Sequence, residues 1–369
     1  MSLRPSFLLA PNAFKGTIDA ERAAELMEGA LLTRYPNAKT KKIPIADGGD
    51  GTCYLLGMAL SLQKREATAL DALGRPVSGF FFLDESNRTA YLDVSTVSGI
   101  KHLQHHERSP WITSTYGTGE LINAAISLGT EHIVLGLGGS ASIDLGTGIL
   151  QALGYLFLDK NGRELTAFSD HFIGKIRHIQ APMRKPKVRF TCLCDVRNFF
   201  FGAQGAIPVF GPQKGLGQDE LPTLEAEASR LIALFAAKTE VQVGDKPGYG
   251  AAGGIAFGLS FFFPVDMEMG ATWFFGKVSL EQHLKATDWV LTGEGKYDGQ
   301  SESGKGCYEL LQLAKKHQRK IAILSAGSGD RPVGFDKWIP LPDLDPNQGN
   351  LRERAEKSLL EALDKADWD

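Results

Sequence analysis

The stretch Lys41-Lys-Ile-Pro-Ile-Ala-Asp-Gly-Gly-Asp-Gly-Thr52 runs from an apolar alternation, Ile43-Pro-Ile45, straight into two carboxylates set around glycines. The alternation predicts a strand from Lys41 to Ile45, which delivers Ala46-Asp-Gly-Gly-Asp-Gly-Thr52 at its carboxyl end. Asp and Gly are the commonest turn formers, so one such cluster needs no ligand to account for it. Recurrence at equivalent places along the chain would change that reading.

Short apolar runs alternate with segments of helical period, the pattern of an α/β fold with mostly parallel strands. Further strands are predicted at Phe7 to Ala10, Ala90 to Val94, His132 to Leu137, Arg189 to Cys194, Trp289 to Leu291 and Lys320 to Leu324, with a smaller β-like patch at Val77 to Leu83. Helices are predicted from Asp19 to Tyr35, Thr118 to Leu128, Leu221 to Ala237, Gly306 to His317 and from Leu351 to the C-terminus. The clusters then recur. Pro11-Asn-Ala-Phe-Lys-Gly-Thr17, Ser95-Thr-Val-Ser-Gly99, Gly138-Gly-Ser-Ala-Ser-Ile-Asp144, Asp195-Val-Arg-Asn198 and Thr292-Gly-Glu-Gly-Lys-Tyr-Asp-Gly-Gln300 each follow a predicted strand. Ligands of open α/β sheets bind outside the carboxyl ends of strands, so six polar or glycine-rich clusters in that one topological place indicate a site.

Composition narrows its chemistry. At 369 residues the chain exceeds the size at which one hydrophobic core keeps growing, so two domains are expected. With no linker rich in Pro, Ser and Gly, a central insertion suits the chain better than two domains in series. A net charge of -3 without a run of five like charges offers no nucleic-acid stripe and no membrane-surface helix. No apolar run approaches the roughly 18 residues that span a bilayer, and Phe7 to Ala10 is too short for a signal-peptide core. A cytoplasmic protein with small-molecule partners is therefore expected, and a homo-oligomer is compatible with this. Cys192 and Cys194 read as reduced core residues on one face of a strand, and His102, His105 and His106 as a solvated loop in place of a metal site.

Glycine-rich loops entering helices aim backbone N–H groups outward, which suits phosphate. Lys15 and Lys305 stand beside glycines at such helix starts, while Lys214 is a weaker phosphate candidate. The acids Asp47, Asp50, Asp144, Asp195, Glu294 and Asp298 would repel a polyphosphate unless Mg²⁺ intervened, and phosphates, lysines and acids together indicate phosphoryl transfer. Asp144 also reads as a helix N-cap. Gly299 to Lys305 matches the phosphate-loop spacing, but Gly306 stands where a Ser or Thr would hold Mg²⁺ and no strand ends just before it. Gly136 to Ala141 matches GxGxxA and Gly248 to Gly253 matches GxGxxG, which sustains an alternative. That alternative is an NAD(P)-dependent dehydrogenase of a small 2-hydroxy acid, with Asp159 near the spacing of a ribose ligand but set in what reads as a hairpin turn.

The strings PNAFKG, ADGGDGT, GLGGSASIDLGTG, CDVRN with GAQGAIPVFGPQKG, GAAGG and LTGEGKYDGQSESGKG occur in the order and spacing of the bacterial type I glycerate kinases, which this chain resembles from Leu8 to Gly327. The resemblance implies ATP-dependent phosphorylation of D-glycerate, typically to 2-phosphoglycerate, with Mg²⁺ accompanying the nucleotide. It also implies two α/β domains with a cleft between them, one discontinuous. Residues 1–65 and 285–369 would form that domain, and 66–284 the inserted one. Within this frame Asp195 is the first candidate for the proton acceptor and Asp47 the second, with Lys15 on the transferring phosphate or the glycerate carboxylate. Gly48, Gly49, Asp50, Ser95, Lys296 and Lys305 are candidates for substrate or phosphate contacts. Gly138, Gly139, Ser140, Ser142, Gly253 and Gly254 would line the nucleotide phosphates, and Glu294 and Asp298 would hold Mg²⁺. The sequence departs from the family pattern at Asn12, Ala13, Ile143, Lys296 and Asp50. Lys296 gives a point charge where the family's arginine gives a bidentate fork.

Overall fold

The computed structural model describes residues 4–14, 16–297, 305–327, 331–345 and 348–368. In chain order its strands are β1 (Ser6–Leu9), β2 (Lys39–Lys42), β3 (Gln63–Leu70), β4 (Pro76–Asp84), β5 (Thr89–Asp93), β6 (His132–Gly136), β7 (Leu156–Leu158), β8 (His178–Gln180), β9 (Arg189–Cys194), β10 (Val265–Met269), β11 (Trp289–Lys296), β12 (Lys320–Ala326) and β13 (Lys337–Leu341). The fold is α/β with mostly parallel sheets, as the alternation of apolar runs and helical segments predicts. Two compact units divide it, residues 1–47 with 271–369 and residues 48–270.

The first unit is built on the all-parallel sheet β13-β12-β11-β1-β2. Phe7 and Leu9 of β1 are fully buried and pack with Ala23, Leu26, Met27 and Leu31 of the helix Ala20–Arg34 and with Leu359 and Leu363 of the helix Leu351–Lys365. Asp19 caps the first of these helices by accepting the Arg22 N–H at 2.8 Å, which supplies a partner for a donor that the first turn leaves unpaired. The second unit carries the sheet β10-β9-β6-β5-β4-β3, parallel from β10 to β5 and antiparallel beyond. Every residue of β5 is buried, and the helices Tyr116–Ser127, Thr147–Ala152 and Leu221–Thr239 contribute buried apolar faces to its core.

The boundaries expected at 65 and 285 fall instead at 47 and 270. The reason is local packing. Gly57 of the helix Thr52–Ala59 lies so close to the Phe82 ring of β4 that a Cβ there would come within 2.2 Å of it, which fixes this helix to the second unit. At the other end, Glu281 of the helix Leu280–Lys285 faces His317 Nε2 at 2.7 Å, and Arg319 donates to the Lys285 carbonyl at 2.5 Å, so this helix belongs with the first unit. Cys192 and Cys194 are buried free thiols. Among the described residues, no helix is long and apolar enough to cross a membrane.

The helix Thr52–Ala59 begins after Gly51 without a side-chain cap of its own. Asp93, at the end of β5, supplies the acceptor: its carboxylate takes the Cys53 N–H at 3.0 and 3.1 Å and the Tyr54 N–H at 3.2 Å. Burial pushes this carboxyl up to about 7 from an ordinary 3.8, against the pull of those N–H groups. The folded chain therefore keeps a proton that the unfolded chain releases above 3.8, so Asp93's contribution to stability is full below that value and declines as pH rises through about 7. Asp93→Asn should flatten the fall of thermal stability between about pH 4 and pH 7, as read by melting temperature against pH.

Candidate active site

In the second unit the carboxyl ends of β5, β6 and β9 meet the segment that leaves Asp47. Gly48 sits directly on the end of β9, where a Cβ would stand 2.5 to 2.8 Å from the backbone carbon, oxygen and Cα of Cys194, and its φ is +98°. Gly138, in the loop after β6, lies on the backbone of Gly49, with space of only 2.3 to 2.5 Å for a Cβ, and its N–H donates to the Gly48 carbonyl at 3.1 Å. Only a residue without a side chain fits either place. Two loops predicted from sequence, Gly48 to Asp50 and Gly138 to Ser142, are thus brought together by main chain alone. Gly139 is the exposed residue of the second loop.

The polar side chains of this edge are already engaged. Asp50 accepts a hydrogen bond from Ser95 Oγ and two from Lys101 Nζ at 3.0 and 3.1 Å. His102, next along the chain, brings its Nε2 within 3.1 Å of the Ser95 carbonyl and 3.0 Å of the Thr96 carbonyl. Ser140 and Ser142, expected to line phosphates, are buried and hold the loop from within: the Ser142 N–H donates to Ser140 Oγ at 3.3 Å, and Ser142 Oγ donates to Asp144 at 3.4 Å. Gly253 and Gly254, also expected at the phosphates, lie buried beneath this loop, Gly253 against the Ser142 carbonyl and Gly254 against Leu145 and Phe200. Close packing by itself calls for glycine there. Asp195 stands half-buried just past the end of β9.

Asp144 is a buried hub. Its carboxylate accepts the Thr115 N–H and Oγ1–H at 2.8 Å each, the Gly146 N–H at 3.1 Å and the Gly148 N–H at 3.3 Å. Asp144 is not itself the N-cap of the helix Thr147–Ala152, a place held by Gly146, but from two positions before that cap it takes the Gly148 N–H of the first turn. Burial drives the Asp144 carboxyl above its ordinary value despite those donors.

In the first unit a cavity of about 470 Å³ opens at the carboxyl ends of the parallel strands, lined at its polar end by Asn12, Asp47, Glu294, Lys296 and Lys305. Asn12 Nδ2 donates to Asp47 Oδ2 at 2.9 Å, and the Asn12 N–H donates to the Gly293 carbonyl at 2.9 Å. Asn12, which departs from the family pattern, therefore orients one of the candidate acids. Glu294 is buried at 8% exposure. Burial, together with the charges of Glu294 and Asp47, lifts the nearby Cys307 thiol well above its usual range, consistent with both acids standing close to it. Lys15, Asp298 and residues 299–304 of the phosphate-loop-like stretch lie outside the described residues.

Sequence reasoning missed Lys101 as the partner of Asp50 and Asp93 as a remote cap. Lys101 stood beside His102 in a segment that read only as polar loop, and nothing in its spacing signalled Asp50. The dehydrogenase alternative also loses its footing. No helix opens directly from Gly136 to Ala141, since the next one starts at Thr147, and Asp159 accepts the N–H groups of Asn161 at 2.7 Å and Arg163 at 3.0 Å within its own turn.

Residues 7–365 match the model described as the Glycerate kinase family. The chain belongs to that family and is a kinase. It is 36% identical to the glycerate kinase of Bacillus subtilis, over 96% of this chain and 97% of that one. It is 32% identical to the glycerate 2-kinase of Escherichia coli, over 89% and 86% respectively. A crystal structure described as a putative glycerate kinase 2 from Salmonella typhimurium superposes with a TM-score of 0.83 at 28% identity, covering 98% of this chain and 97% of that one.

Gly48→Ala should destabilise the protein by about 1–3 kcal/mol, since a methyl group must displace main chain at a positive φ. Its melting temperature and kcat/KM should fall together, and an unchanged melting temperature would contradict the packing described.

Proposed function

We propose that the chain phosphorylates D-glycerate with ATP and Mg²⁺, yielding 2-phosphoglycerate, and that it works in the cytoplasm. Family membership supports the acceptor, and the name of the Escherichia coli relative, a glycerate 2-kinase, supports the position. The observation that carries the site assignment is the convergence, at the carboxyl ends of β5, β6 and β9, of the Gly48–Asp50 and Gly138–Ser142 loops with Ser95, Lys101 and Asp195.

Phosphoryl transfer asks of the protein placement, charge neutralisation and a group to take the hydroxyl proton. Asp195, half-buried at a strand end, is the first candidate for that acceptor, and Asp47 the second. The exposed turn at Gly139 supplies backbone N–H to phosphate oxygens, the Gly138 N–H being committed to the Gly48 carbonyl. Asp50, held by Ser95 and Lys101, serves the glycerate, and Lys101 brings a positive charge for its carboxylate. Lys15, Lys296 and Lys305 are phosphate ligands in this reading.

Among the described residues no group of three His, Cys, Asp or Glu is gathered to hold a metal ion, so a cation here would rest on two carboxylates and the substrate's own phosphates. Glu294 and Asp47 line one cavity with oxygen donors, and Mg²⁺ is commonly held by one or two carboxylates together with substrate phosphates. Glu294 and Asp298 would hold it, and Asp47 lines the same cavity as Glu294. When bound, Mg²⁺ neutralises charge on the phosphate oxygens.

Incubation with ATP, Mg²⁺ and D-glycerate followed by ³¹P NMR should give 2-phosphoglycerate. A 3-phosphoglycerate signal would overturn the position, and no phosphorylated product would overturn the proposal. Asp195→Asn should lower kcat by about a hundredfold or more with little change in KM, general-base contributions being of order 10² to 10⁴. Full turnover in that variant would transfer the role to Asp47.

A further inference from the structure

Lys214 closes the turn Pro212–Lys214 and is only 4% exposed. A buried lysine is rare unless paired, because removing an ammonium from water carries a large desolvation cost. Here the partners are unusual. Lys214 Nζ donates to the Ser142 carbonyl at 2.7 Å and to Ser140 Oγ at 3.3 Å. Among the described residues no carboxylate lies within ion-pair distance of it. The carboxylate of Asp144, at the far end of the same loop, is occupied by Thr115, Gly146 and Gly148.

The ammonium is therefore spent on one loop. It ties the Ser140 hydroxyl and the Ser142 carbonyl to a single point inside the unit, while Gly138 is pinned to Gly48 on the other side. Between these two anchors lies the exposed Gly139. An apolar side chain of similar length would fill the same space without the cost of burying a charge, and replacing buried ions by apolar groups is often neutral or stabilising. The charge calls for a role beyond packing.

We propose that Lys214 is a positioning residue for nucleotide binding: from beneath, its ammonium fixes the Gly138–Ser142 loop in the shape that grips the phosphates of ATP and adds a positive potential behind it. This rests on the reading of that loop as the phosphate grip. Lys214 is not a direct phosphate ligand, because its Nζ is turned into the unit and committed to Ser140 and Ser142. Burial lowers its ordinary pKa to about 7, opposed by the charge of Asp144. An anion on the loop would further favour the charged form.

The test compares Lys214→Met with Gly139→Ala in steady-state kinetics, alongside melting temperature. Lys214→Met should keep the melting temperature near or above that of the parent. It should raise KM for ATP about tenfold or more, the scale expected when a hydrogen bond to a charged group is lost. KM for D-glycerate should stay within about twofold, since only the nucleotide loop is loosened. Gly139→Ala probes the loop independently, because its φ of +72° and a Cβ 3.2 Å from that of Ser95 make any side chain there strained. If Gly139→Ala raises KM for ATP and a folded Lys214→Met does not, Lys214 is a packing residue and the inference falls while the loop reading stands. If neither variant moves KM for ATP, the loop does not grip the nucleotide and both fall. Should Lys214→Met fail to fold, Ser140→Ala, which removes one acceptor of the ammonium, carries the same comparison.

Discussion

Main chain packed directly on main chain, at the carboxyl edge of the second sheet, is the constraint from which the site follows. Gly48 rests on Cys194 and Gly138 rests on Gly49, with a hydrogen bond from the Gly138 N–H to the Gly48 carbonyl. Side chains would hold these loops apart by the thickness of at least a methyl group. Without them, the loop after β6 and the segment after Asp47 form one continuous surface of backbone, in which carbonyls and amides have fixed directions. Rigid amides suit a spreading negative charge because they need no reorganisation when it arrives.

Around that edge, three buried ionisable groups keep the backbone ends satisfied. Asp93 serves the start of the helix Thr52–Ala59 from a strand 40 positions beyond Cys53 in sequence. Asp144 gathers the N–H groups of Thr115, Gly146 and Gly148. Lys214 donates to the Ser142 carbonyl. The carboxylates meet helix donors that lack a local cap, and the ammonium meets a loop carbonyl.

What was legible in the sequence was whatever local pattern dictates. Apolar runs such as Phe7 to Ala10, His132 to Leu137 and Arg189 to Cys194 became buried parallel strands, and Leu221 to Ala237 became part of the helix Leu221–Thr239, because burial on both faces or along one stripe leaves a periodic trace. β3 left no such trace: Gln63 to Thr68 is an edge strand whose side chains are largely open to solvent. Val265 to Met269 hid in the same way, with its acids at the outer edge of the sheet. The helix Thr52–Ala59 was masked by the glycines before it and by a cap on a distant strand. At the carboxyl edge of the second sheet, glycine clusters marked loops that come together but not the direction of their side chains. Ser140 and Ser142 turned inward and Gly253 and Gly254 lay underneath, since facing is decided by tertiary neighbours such as Lys214 and Phe200, which spacing along the chain does not encode.

The discontinuity of the first unit bears on how the chain is made. β1 has its partners in β2 and in β11, and Ser6 is bonded to Asp288 across a separation of 282 residues. A ribosome adding roughly 5–20 residues per second holds the N-terminal strand without its central neighbour for a matter of tens of seconds. The second unit is meanwhile continuous, and every strand of its sheet has been synthesised before β11 is. The nascent polypeptide thus matures from its middle outward, and the segment Phe7-Leu-Leu, apolar and bare along one edge, is the part that chaperones have most reason to shield during that interval.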